Sequence, residues 1–545
     1  MGEPRELTGG EALVEGLVAH GVDTVFGIPG VQTYALFDAL ARRGDDVKVV
    51  APRHEQATAY MAFGYAKVTG RPGVFAVVPG VGFLNASAAV ASAYGASTPV
   101  LCVTGEVPSE FIGSGMGHLH ELPDQLATMR GVTKWAERID HAADAGRLVE
   151  EAFFQMTSGR PRPAALAMPW DVFDRRTAVG EPPHPRAVEA PPVDENAVDK
   201  LAEILRGARA PMIMVGSGAM EAGEEVRELA ELLQAPVVTF RGGRGVVSNE
   251  HALSLTCAEG LELWDETDVV LGIGSRMELM WFRWGNPPAG LRTGLIDIDP
   301  TQRTRLKPDV AVVADAAQAT RALIAALDGH SAADRSEQMA AVKARVAEKA
   351  AAITPHVAFL GAIRRALPRD GIFVEEICQA GFASYFALPV YGPRTFVTCG
   401  PQGTLGFGYA TALGAKVGRP DAPVVAVTGD GGFGFGLQEL ITAAQYGIGV
   451  VCVLFDNGAY GNVWRDQTNR FDGRVVASEL RNPDWAALAG SCGVASDTAK
   501  TPDELERAVA SAIDSGEPSL VIVPVDKRHE VSPWPLLMPS MAKRT

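Results

Sequence analysis

The sequence predicts an α/β protein that contains three doubly wound parallel-sheet domains. Its length of 545 residues suits three domains of roughly 150–200 residues each. Short apolar runs alternate with segments of helical period, which is typical of parallel sheets covered by helices on both faces. A Pro-rich polar stretch, GEPPHPRAVEAPPV at 180–193, interrupts this alternation and indicates a linker between two domains.

The first predicted domain covers residues 1–180. Its apolar runs of strand length are 24–29, 47–52, 73–78, 99–104 and 162–169. The segments between them include TYALFDALAR, EQATAYMAFGYAKVTG and LNASAAVASAYG, in which apolar residues recur at helical spacing. Because parallel strands need a crossover connection, these segments are expected to be the helices that join the strands.

The second and third predicted domains cover 194–329 and 354–530, and the linker before them is 181–193. Their predicted strands are 210–218, 235–240, 268–276 and 293–300 in the second domain, and 371–377, 422–430, 448–458 and 517–525 in the third. Residues 330–353 are rich in Ala, Glu and Lys and indicate a linker helix. The Pro-punctuated tail at 531–545 is expected to be irregular.

The composition argues against several classes of function. A net charge of −16, without any block of Lys and Arg, disfavours nucleic acid and anionic membranes as partners. No apolar run reaches about 18 residues, and the N-terminus shows no basic and apolar signal-peptide pattern. The six cysteines form no CxxC pair and lie in or near apolar runs, so we expect reduced thiols in a cytoplasmic protein.

The string GDGGFG at 429–434 follows a predicted strand and contains a carboxylate, Asp430. Glycine loops of this kind bring phosphate to bare backbone N–H groups, and a carboxylate among them would repel the phosphate. The conflict disappears if Mg²⁺ lies between the two, because Mg²⁺ binds one or two protein oxygens together with substrate phosphates. Asp430 would then be a metal ligand, and Gly431 and Gly432 would let the backbone approach the phosphate.

A second metal ligand is expected where the neighbouring strand ends. Asn457 follows Asp430 by 27 residues, enough for one helix and one strand, so both side chains should emerge at the same edge of the sheet. A dinucleotide site would instead use Asp456 for a ribose, and a purely structural glycine turn would leave Asp430 and Asn457 unexplained. We favour the metal-diphosphate interpretation, because an isolated GxGxxG string is weak support for a dinucleotide site.

The segment GDGGFGFGLQELITAAQYGIGVVCVLFDNGAYG resembles the thiamine-diphosphate signature, in which GDG precedes an Asn by about 27 residues. RHEQATAYMAFGYAKVTGRPGV, GPQGTLGFGYATALGA, VFGIPG and TKWAERI resemble segments of acetolactate synthases and related 2-oxo acid decarboxylases. The resemblance extends over almost the whole chain. It implies a pyrimidine-binding first domain, a central domain and a diphosphate-binding third domain.

The same resemblance implies roles for individual residues. Asp430, Asn457 and the carbonyl of Ala459 match the Mg²⁺ ligands, and Gln379 matches a side chain that reaches the diphosphate. Glu55 matches the carboxylate that hydrogen-bonds pyrimidine N1′ and helps the aminopyrimidine act as a base. On the residues alone, without the other motifs, the favoured interpretation of Glu55 is a first-turn glutamate stabilised by the helix dipole.

Two further residues match the part of the site that shapes the cofactor. Leu405 matches the apolar residue that holds the cofactor in its bent form, and core packing is the alternative for this leucine. The carbonyl of Gly403 and the N–H of Leu405 match the groups that hold the pyrimidine.

The substrate pocket departs from the family pattern. His120 and Glu121 align where acetolactate synthases carry Phe–Gln, and Asp466 aligns where they carry Trp, so the pocket is expected to be more polar. Gln32 is a further pocket candidate. We expect His120 to shuttle protons, because an unperturbed imidazole titrates near ~6.5; a solvated loop histidine is the alternative.

The sequence therefore predicts a thiamine-diphosphate- and Mg²⁺-dependent carboligase, similar to acetolactate synthases, that acts on a 2-oxo acid and other small carbonyl compounds. The alternatives are a simple 2-oxo acid decarboxylase, a diketone-cleaving lyase, a flavin or nicotinamide oxidoreductase and a non-catalytic cofactor-binding homologue. The resemblance also implies a homodimer or homotetramer in which Glu55 reaches the cofactor held by a partner subunit. It leaves FAD possible in the central domain.

Overall fold

A computed structural model describes residues 4–539 and confirms the predicted fold class. Three sheets of six parallel strands follow one another along the chain, and helices connect their strands. Among the described residues, no helix is both long and apolar enough to cross a bilayer. All six cysteines are free thiols, in line with the sequence.

The N-terminal unit contains the first sheet. Its strands are β1 (Arg5–Thr8), β2 (Thr24–Gly27), β3 (Lys48–Val50), β4 (Gly73–Val77), β5 (Val100–Glu106), β6 (Trp135–Arg138), β7 (Ala164–Pro169) and β8 (Arg176–Val179). Its helices are α1 (Gly9–Ala19), α2 (Tyr34–Arg42), α3 (Glu55–Thr69), α4 (Val81–Gly95), α5 (Gln125–Arg130), α6 (Ala145–Thr157) and α7 (Trp170–Asp174). The parallel sheet has the order β3-β2-β4-β5-β7-β6, and β1 pairs with β8 as a separate antiparallel ribbon.

The central unit contains the second sheet. Its strands are β9 (Pro211–Val215), β10 (Val237–Thr239), β11 (Ser254–Thr256), β12 (Val269–Ile273), β13 (Arg292–Asp297) and β14 (Val310–Val313), in the order β11-β10-β9-β12-β13-β14. Its helices are α8 (Glu195–Arg206), α9 (Gly223–Leu233), α10 (Cys257–Leu261), α11 (Thr301–Leu306) and α12 (Ala316–Ala326). The helix predicted within 330–353 is α13 (Ser336–Ala351), which buries Met339, Val342 and Val346.

The C-terminal unit contains the third sheet. Its strands are β15 (Ile372–Val374), β16 (Phe396–Val397), β17 (Val424–Gly429), β18 (Val450–Asp456), β19 (Ala495–Thr498) and β20 (Ser519–Pro524), in the order β16-β15-β17-β18-β20-β19. Its helices are α14 (His356–Ala366), α15 (Gln379–Ala387), α16 (Gly408–Gly418), α17 (Asp430–Phe433), α18 (Glu439–Tyr446), α19 (Gly461–Arg470), α20 (Trp485–Ser491), α21 (Pro502–Ser515) and α22 (Trp534–Leu537).

Every apolar run predicted as a strand contains one, but the tail differs from the prediction. Four of its residues, Trp534–Leu537, form the short helix α22, and Leu537 is buried in the core. Residues 540–545 of the predicted tail lie outside the described residues. The predicted domain boundaries remain predictions.

Helices α3 and α16 join the first and third units by close packing at glycine. A Cβ on Gly64 would lie 2.0 Å from the carbonyl oxygen of Thr411, and one on Gly414 would lie 1.9 Å from that of Met61. Only glycine permits such an approach of two helix backbones. Beside this crossing, the Tyr60 hydroxyl lies 2.6 Å from Thr404 Oγ1. The crossing therefore ties α3 to the loop that carries Gly403 and Leu405.

Candidate active site

Asp430 and Asn457 lie at the same edge of the third sheet because their strands are neighbours. β17 and β18 pair in parallel with Gly429 opposite Phe455, and Asp430 and Asn457 follow soon after these residues. This edge is the carboxyl end of the strands, where open α/β sheets bind ligands. The two side chains predicted to hold the metal are thus brought together by sheet register.

One cavity of about 190 Å³ opens at this edge. The predicted cofactor residues that line it are Gln379, Leu405, Asp430, Gly431, Gly432, Asn457 and Ala459. Gly403 does not line it, and adopts a left-handed backbone with φ of 62° in the exposed loop before Leu405. The cavity therefore gathers the residues assigned to the metal and the diphosphate.

Asp430 is a buried carboxylate that is 3% exposed. Its Oδ2 accepts hydrogen bonds from the Gly458 N–H at 2.8 Å and from Asn482 Nδ2 at 2.7 Å. Burial raises the pKa of Asp430 to about 6, and the neighbouring Asp456 carboxylate acts in the same direction. A buried carboxylate with a raised pKa is one whose negative charge a bound cation would stabilise.

Asn457 is held by hydrogen bonds on both ends of its amide. Its Nδ2 donates to Glu530 Oε2 at 3.0 Å, and its Oδ1 accepts from the Ala459 N–H at 3.0 Å. The amide oxygen keeps a second lone pair for a metal ion, because a carbonyl oxygen has two. Glu530 was not foreseen from the sequence, since it lies 73 residues after Asn457 in an irregular segment.

Gln379 and His356 present unpaired polar atoms at this cavity. Gln379 is 5% exposed, and neither atom of its side-chain amide has a hydrogen-bond partner within residues 4–539. The same holds for Nδ1 of the buried His356. Buried polar groups are normally hydrogen-bonded, so unpaired ones that line a cavity point to a polar ligand. The Gln379 Nε2 donor fits a diphosphate, and the Asp430 and Asn457 oxygens fit Mg²⁺, which prefers oxygen ligands.

No group of three or more His, Cys, Asp or Glu side chains in the described part of the chain is arranged to hold a metal. The predicted Mg²⁺ set does not need one, because it combines one carboxylate, one amide oxygen and one backbone carbonyl.

The glycines after Asp430 have a packing reason that the sequence did not reveal. A Cβ on Gly431 would lie 2.6 Å from the Tyr460 ring, and one on Gly432 would lie 3.0 Å from the Glu376 carboxyl carbon. Side chains at these positions would displace Tyr460 or the buried Glu376. Both glycines are therefore required by the protein itself, in addition to any approach to phosphate.

Glu55 lies outside the cavity of Asp430. It is the first residue of α3, and its Oε2 accepts a hydrogen bond from Asn85 Nδ2 at 3.0 Å. Its half-buried position also fits the alternative of a first-turn glutamate favoured by the helix dipole. One chain thus gathers the predicted metal and diphosphate residues without placing Glu55 among them.

His120 and Gln32 form a pair in the first unit. Gln32 is 1% exposed, and its Nε2 donates to the Leu119 carbonyl at 2.9 Å while its Oε1 lies 3.2 Å from His120 Nδ1. His120 has a φ of 67°, a left-handed conformation that costs energy for a residue with a Cβ. The carbonyl of His120 packs on Gly80, where a Cβ would lie 2.1 Å away. The imidazole is therefore held in a defined place.

The other two pocket candidates are engaged elsewhere. The Glu121 carboxylate accepts hydrogen bonds from the N–H groups of Gly115, Gly117 and His118, and these bonds, led by that of His118, lower its pKa. Glu121 thus fastens its own loop. Asp466 lies on α19 and pairs with Arg470 at 3.8 Å, and it does not line the 190 Å³ cavity.

A second and larger cavity of about 470 Å³ lies between the central unit and its neighbours. Glycine turns such as Gly216–Gly218 and Gly274 line it, together with the cations Lys67, Arg276 and Arg394. Burial lowers the pKa of Lys67 to about 7, and the nearby arginines act in the same direction. Bare backbone beside several cations is a setting that suits phosphate groups.

The chain matches three family models in the order of its three sheets. Residues 7–128 match "Thiamine pyrophosphate enzyme, N-terminal TPP binding domain", residues 198–323 match the central domain of that enzyme class, and residues 377–523 match its C-terminal TPP binding domain. The matched ranges contain Glu55, Asp430 and Asn457.

Relatives of similar length agree with these matches. A "Probable 2-ketoarginine decarboxylase AruI" of Pseudomonas aeruginosa is 36% identical over 93% of this chain and 92% of its own length. A "Probable acetolactate synthase large subunit" of Methanocaldococcus jannaschii is 32% identical over 95% and 92%, respectively. An "Acetolactate synthase large subunit" of Haemophilus influenzae is 30% identical over 97% and 96%.

Proposed function

Because this chain belongs to the thiamine pyrophosphate enzymes and is an enzyme of their acetolactate synthase and decarboxylase group, we propose that it releases CO₂ from a 2-oxo acid with Mg²⁺ as its metal. The observation that carries this proposal is the 190 Å³ cavity, which is lined by Asp430, Asn457 and Gln379 with its unpaired amide. We propose the identity of the metal, the identity of the substrate, and what happens to the substrate carbon after CO₂ leaves.

Thiamine diphosphate, when bound, supplies an electron sink for the electron pair that CO₂ leaves behind. The residues of this chain would hold and orient it. Asp430, Asn457 and the Ala459 carbonyl would bind Mg²⁺, the Gln379 amide would bind the diphosphate, and the apolar Leu405 would shape the space beside it. These groups position the reactants and exclude water.

We propose that Glu55 is supplied by a partner subunit, so that a homodimer is the smallest active form. Support comes from its place outside the cavity that Asp430 lines in the same chain. A carboxylate beside the pyrimidine would share a proton with it, which is the work of a general acid or base.

His120 is proposed to deliver the proton that replaces the lost CO₂, giving an aldehyde. The buried Gln32 orients its imidazole, and an imidazole can both take up and release a proton near neutral pH. Carboligation, in which a second carbonyl compound is captured instead, is the second candidate, favoured by the similarity to acetolactate synthases.

The substrate proposed first is 2-ketoarginine, a 2-oxo acid with a cationic side chain. Two observations support it: the relative from Pseudomonas aeruginosa bears that substrate in its name, and the polar His120 stands where acetolactate synthases carry Phe. We also propose that the 470 Å³ cavity holds a nucleotide cofactor such as FAD or ADP, with its phosphates near Lys67, Arg276 and Arg394.

The test is to reconstitute the protein with thiamine diphosphate and Mg²⁺ and to measure CO₂ release from 2-ketoarginine, pyruvate and phenylpyruvate. Each acid is assayed with and without an added aldehyde acceptor. We expect CO₂ and an aldehyde from 2-ketoarginine without any acceptor. Release that requires the acceptor would support carboligation, and the absence of CO₂ from every acid despite a bound cofactor would refute the proposal.

A further inference from the structure

Three polar side chains from distant parts of the chain meet beside the proposed metal site. His356 Nε2 lies 3.0 Å from Glu530 Oε1, and Glu530 Oε2 accepts a hydrogen bond from Asn457 Nδ2 at 3.0 Å. The side chains of His356 and Glu530 are 1% and 3% exposed. All three line the 190 Å³ cavity. Neither His356 nor Glu530 is among the residues proposed to hold the metal or the diphosphate or to transfer a proton.

Glu530 favours one orientation of the Asn457 amide. An ionised carboxylate only accepts hydrogen bonds, so it must receive the NH₂ group of Asn457 and cannot receive its oxygen. The oxygen is thereby turned to the opposite side, where the Ala459 N–H occupies one of its lone pairs. Without the carboxylate only the Ala459 N–H would hold the amide, so the orientation of its oxygen would be less well fixed.

His356 fixes the carboxylate in its turn. Its ring packs against Phe455 at a centroid distance of 5.3 Å, and the Val531 N–H donates to the Thr354 carbonyl at 2.9 Å, which holds the two segments side by side. Because His356 Nε2 lies at Glu530 Oε1, the carboxylate uses Oε1 for His356 and Oε2 for Asn457.

The packing around this group of side chains is tight. A Cβ on Gly461 would lie 2.6 Å from Asn457 Nδ2 and 3.3 Å from Glu530 Oε2. The Asn457 amide therefore lies between a carboxylate and a glycine that leaves it just enough space.

We propose that Glu530 and His356 are positioning residues that orient the Asn457 amide oxygen toward the metal. This rests on the proposed metal-diphosphate site and adds to it two residues that act on the metal through Asn457. Partners that orient a metal ligand in this way commonly change metal affinity by about 10–100-fold when they are removed.

The experiment measures Mg²⁺ affinity by titration calorimetry of the full-length protein at saturating thiamine diphosphate. Glu530→Ala is expected to weaken Mg²⁺ binding by about 10–100-fold. Glu530→Gln should recover most of the affinity, because its side-chain oxygen can still accept from Asn457 while its NH₂ group can face His356. Glu517→Ala, at an exposed glutamate, is the matched control and should bind as the unaltered protein does.

A second variant keeps the test valid if Glu530→Ala does not fold. Gly461→Ala leaves the carboxylate in place but presses on the Asn457 amide, and it should also weaken Mg²⁺ binding. Its control is Gly490→Ala, a helical glycine with open space around it. The melting temperature of the metal-free proteins reports stability separately from metal affinity.

The outcomes separate two failures. Wild-type Mg²⁺ affinity in a folded Glu530→Ala or Gly461→Ala protein would overturn the positioning role and leave the proposed function intact. Failure of the unaltered protein to bind Mg²⁺ and thiamine diphosphate would refute the proposed function, and the positioning role with it.

Discussion

Gln32 and His120 are 88 residues apart in the sequence, yet their side chains lie 3.2 Å apart, with Gln32 Oε1 facing His120 Nδ1. Gln32 also holds the backbone beside His120 through the Leu119 carbonyl. The buried glutamine thus fixes both the ring and the strained backbone of the histidine. A histidine held in this way is better suited to proton transfer than one that moves freely with its loop.

Replacing His120 tests that role. His120→Asn keeps a residue that tolerates a left-handed backbone but removes the titrating group. We expect kcat for CO₂ release to fall by about 10²–10⁴-fold, the usual contribution of a general acid, while cofactor affinity stays unchanged. Steady-state kinetics and calorimetry measure the two quantities. Unchanged turnover would show that His120 is only a loop residue.

The pair itself can be tested by a double-mutant cycle. Gln32→Leu should reduce kcat, because the imidazole loses its orienting partner. The effects of Gln32→Leu and His120→Asn should not add, since residues that act together show a coupling of about 0.5–3 kcal/mol. Additive losses in the double variant would mean that Gln32 acts independently of His120.

Mixed dimers test whether the active site lies between subunits. Glu55→Gln and Asp430→Ala should each be inactive alone. In an equimolar mixture that exchanges subunits, half of the dimers are hybrid and each hybrid has one intact site, so activity should recover to about a quarter of the wild-type value. No recovery in dimers that demonstrably exchange would place both residues in one subunit's site.

Glu376 predicts a pH dependence of stability. It is buried and accepts hydrogen bonds from the N–H groups of Phe407 and Gly408 at 3.1 and 2.9 Å, and burial raises its pKa from 4.5 to about 7. The folded protein therefore keeps a proton here that the unfolded chain loses above pH 4.5. The protonated Glu376 carboxyl contributes fully to the free energy of unfolding below pH 4.5. This contribution is lost as pH rises through about 7.

Glu376→Gln should remove this pH-dependent contribution to the free energy of unfolding, which is on the order of 2–3 kcal/mol. Denaturant unfolding at pH 5 and pH 8 measures it, with Glu517→Ala as a control at an exposed position. The variant should lose less stability between the two pH values than the wild type does. An identical loss would show that Glu376 is ionised at both pH values.

The edge strands show what the sequence could not predict. Apolar runs located the strands at the centre of each sheet, because these strands are buried on both faces. Five of the six edge strands, β6, β11, β14, β16 and β19, were missed. β16 has only two residues, and all four residues of β19 are exposed, so neither leaves a long apolar run in the sequence.

The candidate site also contains some residues that the sequence could predict and others that it could not. Asp430 and Asn457 could be predicted, because each follows a strand and the order of adjacent strands brings them together. Glu530 and His356 could not, since their meeting depends on the path of an irregular segment after the last strand, 174 residues from His356. Glu121 was expected to face the substrate, but its carboxylate finds three N–H groups of its own loop within reach.

The most direct test of the account is calorimetric titration of the protein with thiamine diphosphate, with Mg²⁺ present and with Mg²⁺ removed by EDTA. If the metal joins Asp430 to the diphosphate, binding should be strong only with Mg²⁺, and Asp430→Ala should weaken it by about 100-fold or more even when Mg²⁺ is present. Equally tight binding in EDTA, or to the Asp430→Ala protein, would contradict the account.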